Sequence, residues 1–195
     1  MRFSERRSAP SLSLDVMPNR TPEMMAGDVV EFLQLLDRQK IEVWVDGGWG
    51  VDALLGRQTR PHADLDIAIR HSDVPAVRRL LGERGYRPIP RPDTRDCNFV
   101  LGDEAGHEID VHTFTFDADG KCIFGIAYPA DSLTGSGMIA GHRTRCICAE
   151  WMVQFHSGYA LKLKDYRDVS ALCSAFGIEL PREYERFRDG STVQA

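Results

Sequence analysis

The chain has no apolar run near the ~20 residues that a membrane-spanning helix needs, so no membrane partner is expected. Basic charge is in short supply: 24 Lys and Arg stand against 29 Asp and Glu, a formal net charge of −5. A protein that grips a nucleic-acid backbone normally leaves a basic footprint, so nucleic acid is not the expected partner either. Cysteine is sparse. Cys97, Cys122, Cys146, Cys148 and Cys173 are odd in number and contain no Cys-x-x-Cys, which argues against a disulfide framework or a cysteine-rich zinc site and points to a reduced, cytoplasmic protein. The first twenty residues hold Arg, Ser and Pro without a continuous apolar core, so they read as a tail at 1–20 and not as a signal peptide. There are no internal repeats. The 195 residues, 43% hydrophobic and 27% charged, suit one compact domain with at most a small appendage.

The informative stretch runs from Val43 to Ile69. A short apolar strand, Val43 to Val45, breaks at Gly47-Gly48; an amphipathic segment from Trp49 to Leu55 follows and stops at Gly56. A basic turn leads into an alternating strand from Ala63 to Ile69, on which Asp64 and Asp66 share one face and Leu65 and Ile67 the other. Two carboxylates side by side repel unless a positive charge lies between them. A hard divalent cation such as Mg2+, bound by a few carboxylates and the phosphate oxygens of a substrate, supplies that charge. The glycine pair fits the same chemistry, because Gly47 and Gly48 let the backbone approach a phosphate and offer it free N–H groups. Arg57, Arg60 and His62 precede the carboxylates. They form either an exposed basic loop or a set of counter-charges for a triphosphate, a role that Arg60 and His62 are candidates to fill. Trp49 reads as packing for the turn, and Asp52 as a cap or a solvated helix residue with no catalytic part.

The run G-G-W-G-V-D-A-L-L-G-R-Q-T-R-P-H-A-D-L-D-I resembles the signature of the small antibiotic nucleotidyltransferases. These are the lincosamide nucleotidyltransferases and the aminoglycoside (2″) adenylyltransferases, of the polymerase-β-like nucleotidyltransferase superfamily. Ile109 to His112 and Phe155 to Tyr159 resemble the lincosamide branch, and the likeness extends from Val43 to Leu172. It implies an α+β fold with a mixed β-sheet and a C-terminal helical segment. It also implies that Asp110, in the strand E-I-D-V-H-T-F, completes a metal-binding and catalytic cluster with Asp64 and Asp66. His112 matches the lincosamide Asp-x-His pattern and is a candidate to orient acceptor or metal. The superfamily often carries a lysine that reaches the triphosphate, and K-D-x-x-D makes Lys164 its counterpart here; the other reading of Lys162, Lys164, Asp165 and Asp168 is a solvated face. Glu104 and Glu108 would contribute to an acidic pocket if the acceptor were a polycation.

Elsewhere the chain reads as scaffolding. Thr21-Pro22 starts a helix whose stripe is Met25, Val29, Phe32, Leu33 and Leu36. A second helix begins at Ser72-Asp73 and ends at Gly85. Tyr86 to Ile89 is an edge strand cut off by Pro90 and Pro92, and Asn98 to Leu101 pairs with Glu108 to Phe116 as a hairpin. Asp117 to Gly120 is a hairpin turn and not a calcium loop, since the positions beyond it carry no ligands. Phe124 to Gly141 reads as short strands and a loop over the site. From Ala149 a helix is expected to keep Trp151, Met152, Phe155, Tyr159 and Leu163 inward, with Gly158 inside it.

The expectation is a sheet of four or five strands with helices on one side, residues 21–148 forming the nucleotidyltransferase domain and 149–195 a helical segment packed on it. Monomer and homodimer are both open. The function expected is Mg2+-dependent transfer of AMP from ATP to a hydroxyl of a small-molecule antibiotic, a lincosamide first and an aminoglycoside next. Two other readings stand beside it: a nucleotidyltransferase acting on a protein or transfer RNA, and a silent nucleotide-binding module.

Overall fold

A computed structural model describes residues 23–188; the expected tail at 1–20 and the Thr21-Pro22 helix start lie outside the described residues. Among the described residues no helix is long and apolar enough to cross a membrane. The described residues form five α-helices, in chain order α1 (Ala26–Arg38), α2 (Gly47–Leu55), α3 (Val74–Gly82), α4 (Ala149–Phe155) and α5 (Leu163–Phe176). The strands are β1 (Val43–Val45), β2 (Asp64–Arg70), β3 (Arg87–Ile89), β4 (Asn98–Gly102), β5 (Glu108–Phe116), β6 (Cys122–Gly125), β7 (Gly135–Ile139) and β8 (His142–Cys146). They form one sheet in the order β3-β4-β5-β2-β1-β8-β7, with β6 paired to β5. The mixed sheet expected from the sequence is present with eight strands, not four or five. β6 and β7 lie in or beside the weakly periodic stretch read as short strands and a loop, where backbone pairing compensates for little hydrophobic patterning, and β8 overlaps the short strand that Thr144 to Cys148 predicts.

The middle of the sheet positions the site. β1 runs antiparallel to β2, and β2 runs parallel to β5. Alternation along β2 buries Leu65, Ile67 and Ile69 on one face, where they meet Val29, Leu36, Val77 and Leu81 of α1 and α3. The opposite face carries Asp64 and Asp66 and continues as Ala68, in a second core with Trp44, Phe114, Met152, Val169 and Leu172. Helices therefore cover both faces, contrary to the expected one-sided arrangement. α2 joins the two layers, sending Trp49 and Ala53 to the first core and Val51 to the second.

Two helix readings are corrected. At the start of α1, Met24 is 1% exposed and Met25 is 52% exposed. The Met24 N–H donates to the carbonyl of His62, which holds the entering chain extended and turns the Met24 side chain inward instead. The helix after Ala149 does not run through Tyr159. It ends at Phe155, His156 leaves helical geometry, and Gly158 sits at φ +80°. Such a backbone suits glycine and terminates a helix instead of kinking it. The chain restarts at α5, where the Lys162 N–H donates to Asp165 Oδ2 at 2.7 Å. The break leaves Tyr159 and Leu163 50% and 42% exposed, not in the core.

Candidate active site

Strand register assembles the carboxylates. In the parallel β2–β5 pair, Asp64 lies opposite Glu108, Asp66 opposite Asp110, and Ala68 opposite His112. Every second residue of each strand faces the same way, so four acidic groups and one imidazole gather on one face. Like charges at this spacing hinder each other's ionisation. Burial, reinforced by Asp64, Asp46 and Asp110, holds the Asp66 carboxyl well above the usual carboxylate range, while Lys164 acts in the opposite direction. Burial also raises Asp110; His112 and Arg91 favour its ionised form, and Asp64 and Asp93 oppose it.

The glycine pair opens α2 as its first two residues. Gly47 has φ +55°, and a Cβ there would fall 2.1 Å from Asp66 Oδ2. Its hydrogen side chain is what lets Asp66 seat against the turn. Behind Gly48, a Cβ would fall 2.3 Å from His62 Nδ1 and 2.7 Å from Arg60 Nη2. Gly48 is thus required by the packing under the turn as well as by any ligand above it. The first-turn amides of Gly48 and Trp49 have no intrahelical acceptor.

Asp46 precedes the pair as the N-cap of α2. Its Oδ1 accepts from the Gly47 N–H at 2.8 Å, and its Oδ2 accepts from the Tyr128 hydroxyl at 2.8 Å. His112 stands between two carboxylates, with Nδ1 4.0 Å from Asp46 Oδ2 and Nε2 3.6 Å from Asp110 Oδ1. Neither Asp46 nor Tyr128 was singled out in the sequence as a site residue. Asp46 carried a signal, an N-cap residue type directly before the glycine pair. Tyr128 lies in the weakly patterned loop and carried none.

The basic residues before β2 take up defined partners. His62 is buried, with Nε2 2.5 Å from Asp52 Oδ2, and the Thr59 N–H donates to Asp52 Oδ1 at 3.0 Å. Asp52 is therefore a buried anchor, not a solvated helix residue. Arg60 Nη2 donates to Asp168 Oδ2 at 2.8 Å, tying this loop to α5. Asp165 and Asp168 are buried, so the solvated face offered as one reading of that stretch is not found; Lys164, directly before Asp165, is exposed.

Two cavities are lined by these carboxylates. One of about 510 Å³ is lined by Asp46, Gly47, Asp66 and His112 together with Tyr128, Phe155, His156 and Tyr159. The other, about 260 Å³, is lined by Asp64, Asp93, Glu108 and Asp110 together with Arg91 and Asn98. Among the described residues no three His, Cys, Asp or Glu side chains close on one point as a metal cage. The donor set nonetheless fits Mg2+, which takes one or two carboxylates and completes its shell with water and substrate phosphates. Asp110 Oδ1 is buried without a hydrogen-bond partner, a costly state that an added cation relieves.

Comparison with known proteins agrees with this geometry. Residues 28–172 match the family model described as aminoglycoside-2''-adenylyltransferase. A lincosamide resistance protein of Staphylococcus haemolyticus is 29% identical over 147 residues, 73% of this chain and 90% of that protein. A 2''-aminoglycoside nucleotidyltransferase of Escherichia coli is 27% identical over 135 residues, 67% of this chain and 71% of that protein. The lincomycin-bound crystal structure of the lincosamide antibiotic adenylyltransferase LnuA superposes with a TM-score of 0.68 at 27% identity, covering 78% of this chain and 99% of that one. ANT(2")-Ia in complex with adenylyl-2"-tobramycin shares the fold, with a TM-score of 0.65 at 20% identity over 85% of this chain and 95% of that one.

Proposed function

Because the chain belongs to the aminoglycoside-2''-adenylyltransferase family of antibiotic nucleotidyltransferases, we propose that it moves AMP from ATP to a hydroxyl of a small antibiotic, a lincosamide in preference to an aminoglycoside. The observation that carries this reading is the β2–β5 register that sets Asp66, in the wall of one cavity, opposite Asp110, in the wall of the other. The larger cavity, with the α2 N-terminus and aromatic rings in its lining, suits a nucleoside triphosphate; the smaller, acidic one suits the acceptor.

Asp64, Asp66 and Asp110 would hold Mg2+, whose chemistry when bound is to neutralise phosphate charge and to acidify a bound hydroxyl. The amides of Gly48 and Trp49 donate to phosphate oxygens, with the positive end of the α2 dipole behind them. Lys164 adds a counter-charge near Asp66. Arg60 and His62 serve the nucleotide through the turn they pack beneath. On the acceptor side, Asp110 takes the hydroxyl proton as the acceptor oxygen bonds to the α-phosphorus and pyrophosphate leaves. His112, within reach of Asp110, orients that carboxylate, and Glu108 faces the acceptor. Preorganised position and charge account for most of the acceleration.

The lincosamide preference is supported by the Asp110-Val111-His112 and Phe155 to Tyr159 stretches and by the likeness to the lincosamide enzyme LnuA, 27% identical at a TM-score of 0.68 against 20% and 0.65 for ANT(2")-Ia. Mass spectrometry of lincosamides and aminoglycosides after incubation with protein, ATP and Mg2+ tests it. A lincosamide gaining one adenylyl group is the expected product. Adenylylation of a protein or RNA in whole lysate, with both drug classes untouched, would refute it.

A further inference from the structure

The acidic cavity already contains a cation. Among the described residues Arg91 is the one positively charged residue in its lining, beside the carboxylates of Asp64, Asp93, Glu108 and Asp110. Its Nη2 donates to both oxygens of Glu108, at 2.7 and 2.6 Å. An exposed pair of this kind adds little stability, because solvent screens it and two long side chains lose freedom. Its geometry is nevertheless held from the backbone. Arg91 lies between Pro90 and Pro92, which restrict the main chain on either side of it. The Arg91 N–H donates to Thr94 Oγ1 at 2.8 Å, and the Asn98 side chain donates to Asp93 Oδ2 at 3.1 Å. The segment is therefore a stitched turn that presents one guanidinium to one glutamate at the rim of the acceptor cavity.

We propose that Arg91 determines acceptor specificity by occupying, as a built-in cation, the place where an ammonium group of a polyamino acceptor would pair with Glu108. This rests on the reading of the smaller cavity as the acceptor site. With Glu108 neutralised, the cavity favours an acceptor carrying a single amine. A polycation meets the guanidinium as a like charge and must either displace it or leave one of its ammonium groups unpaired. Arg91 thus selects the charge class of the acceptor without taking part in the transfer.

The test compares Arg91→Gln with the wild type, using calorimetric titration of tobramycin and of lincomycin into each protein without nucleotide. Arg91→Gln should bind tobramycin at least about tenfold more tightly, as expected when a like charge is removed from a binding surface and a carboxylate is released. Lincomycin affinity should change by much less. The double variant Arg91→Gln/Glu108→Gln should lose the gain, since the released carboxylate is its source. Thermal melts keep the comparison to folded protein. Unchanged tobramycin affinity in a folded Arg91→Gln protein, no binding of tobramycin to it, or a gain that survives in the double variant would each overturn the proposal. Because these are binding measurements, they decide the role of Arg91 even if neither drug is adenylylated, which would count against the proposed function instead.

Discussion

Asp66 rests directly against Gly47, so close that a methyl group on the glycine would overlap its carboxylate. Strand and turn are built around each other at this point, and Gly47→Ala acts on both. The left-handed backbone at φ +55° costs a non-glycine residue about 1–2 kcal/mol, and Asp66 must also move. The expected result is a fall in Tm of at least roughly 2–4 °C and a loss of transfer of about a hundredfold or more, because the displaced group is a reacting-centre ligand. Melting curves and initial rates on the same preparation check it; full activity would show that Asp66 need not sit there.

Asp66→Asn should abolish transfer without lowering stability, since it removes a charge from a crowded cluster and not a packed volume. The pH dependence follows from the raised pKa of Asp66. Between its ordinary and its raised value the folded state holds a proton that the unfolded state has lost, so stability decreases as pH rises through that window. In metal-free melts the wild type should therefore lose stability against Asp66→Asn as the pH is raised above the ordinary carboxylate range. Added Mg2+ should restore more to the wild type than to the variant. Parallel pH curves for the two proteins would contradict this assignment.

Arg60 and Asp168 join the loop before β2 to α5, the helix that carries Lys164. Asp168→Ala leaves the half-buried guanidinium without its acceptor, at a cost of about 2 kcal/mol and roughly 4–8 °C in Tm. ATP affinity should weaken as well, through the loosened position of Lys164. Lys164→Ala separates the two effects, because an exposed lysine contributes charge and not packing: ATP binding should fall with Tm nearly unchanged. Calorimetry and melts on both variants distinguish a tether from a direct contact.

Asp110→Asn keeps shape and hydrogen-bonding capacity but cannot accept the hydroxyl proton. The wild-type rate should rise with pH through one apparent pKa, displaced upward from an ordinary carboxylate because Asp110 is buried beside other acids. The variant should lose most of kcat together with that limb. A variant that kept the limb at reduced amplitude would make Asp110 a ligand only, with the proton leaving by another route.

Local chemistry in the sequence determined the parts of this site that are close together along the chain. The strand-glycine-helix turn, the Asp64 and Asp66 pair on one strand face and the alternating Glu108, Asp110 and His112 are all set by periods of two or by the demands of a turn. The family signature adds to these without depending on the three-dimensional arrangement. Tertiary structure decided the rest. That Asp66 faces Asp110 and not Glu108 is a matter of register between strands more than forty positions apart, which neither strand encodes alone. That Arg60 and His62 are bound from behind by Asp168 and Asp52 depends on where α5 and α2 pack. In sequence Gly158 reads as a residue inside a helix, and only the tertiary structure ends α4 at Phe155, sets Gly158 in a left-handed backbone and delivers Tyr159 to the cavity wall. Tyr128 and Arg91 reach the site from loops with no hydrophobic period, where position is dictated by hydrogen bonds to distant partners and not by any local pattern.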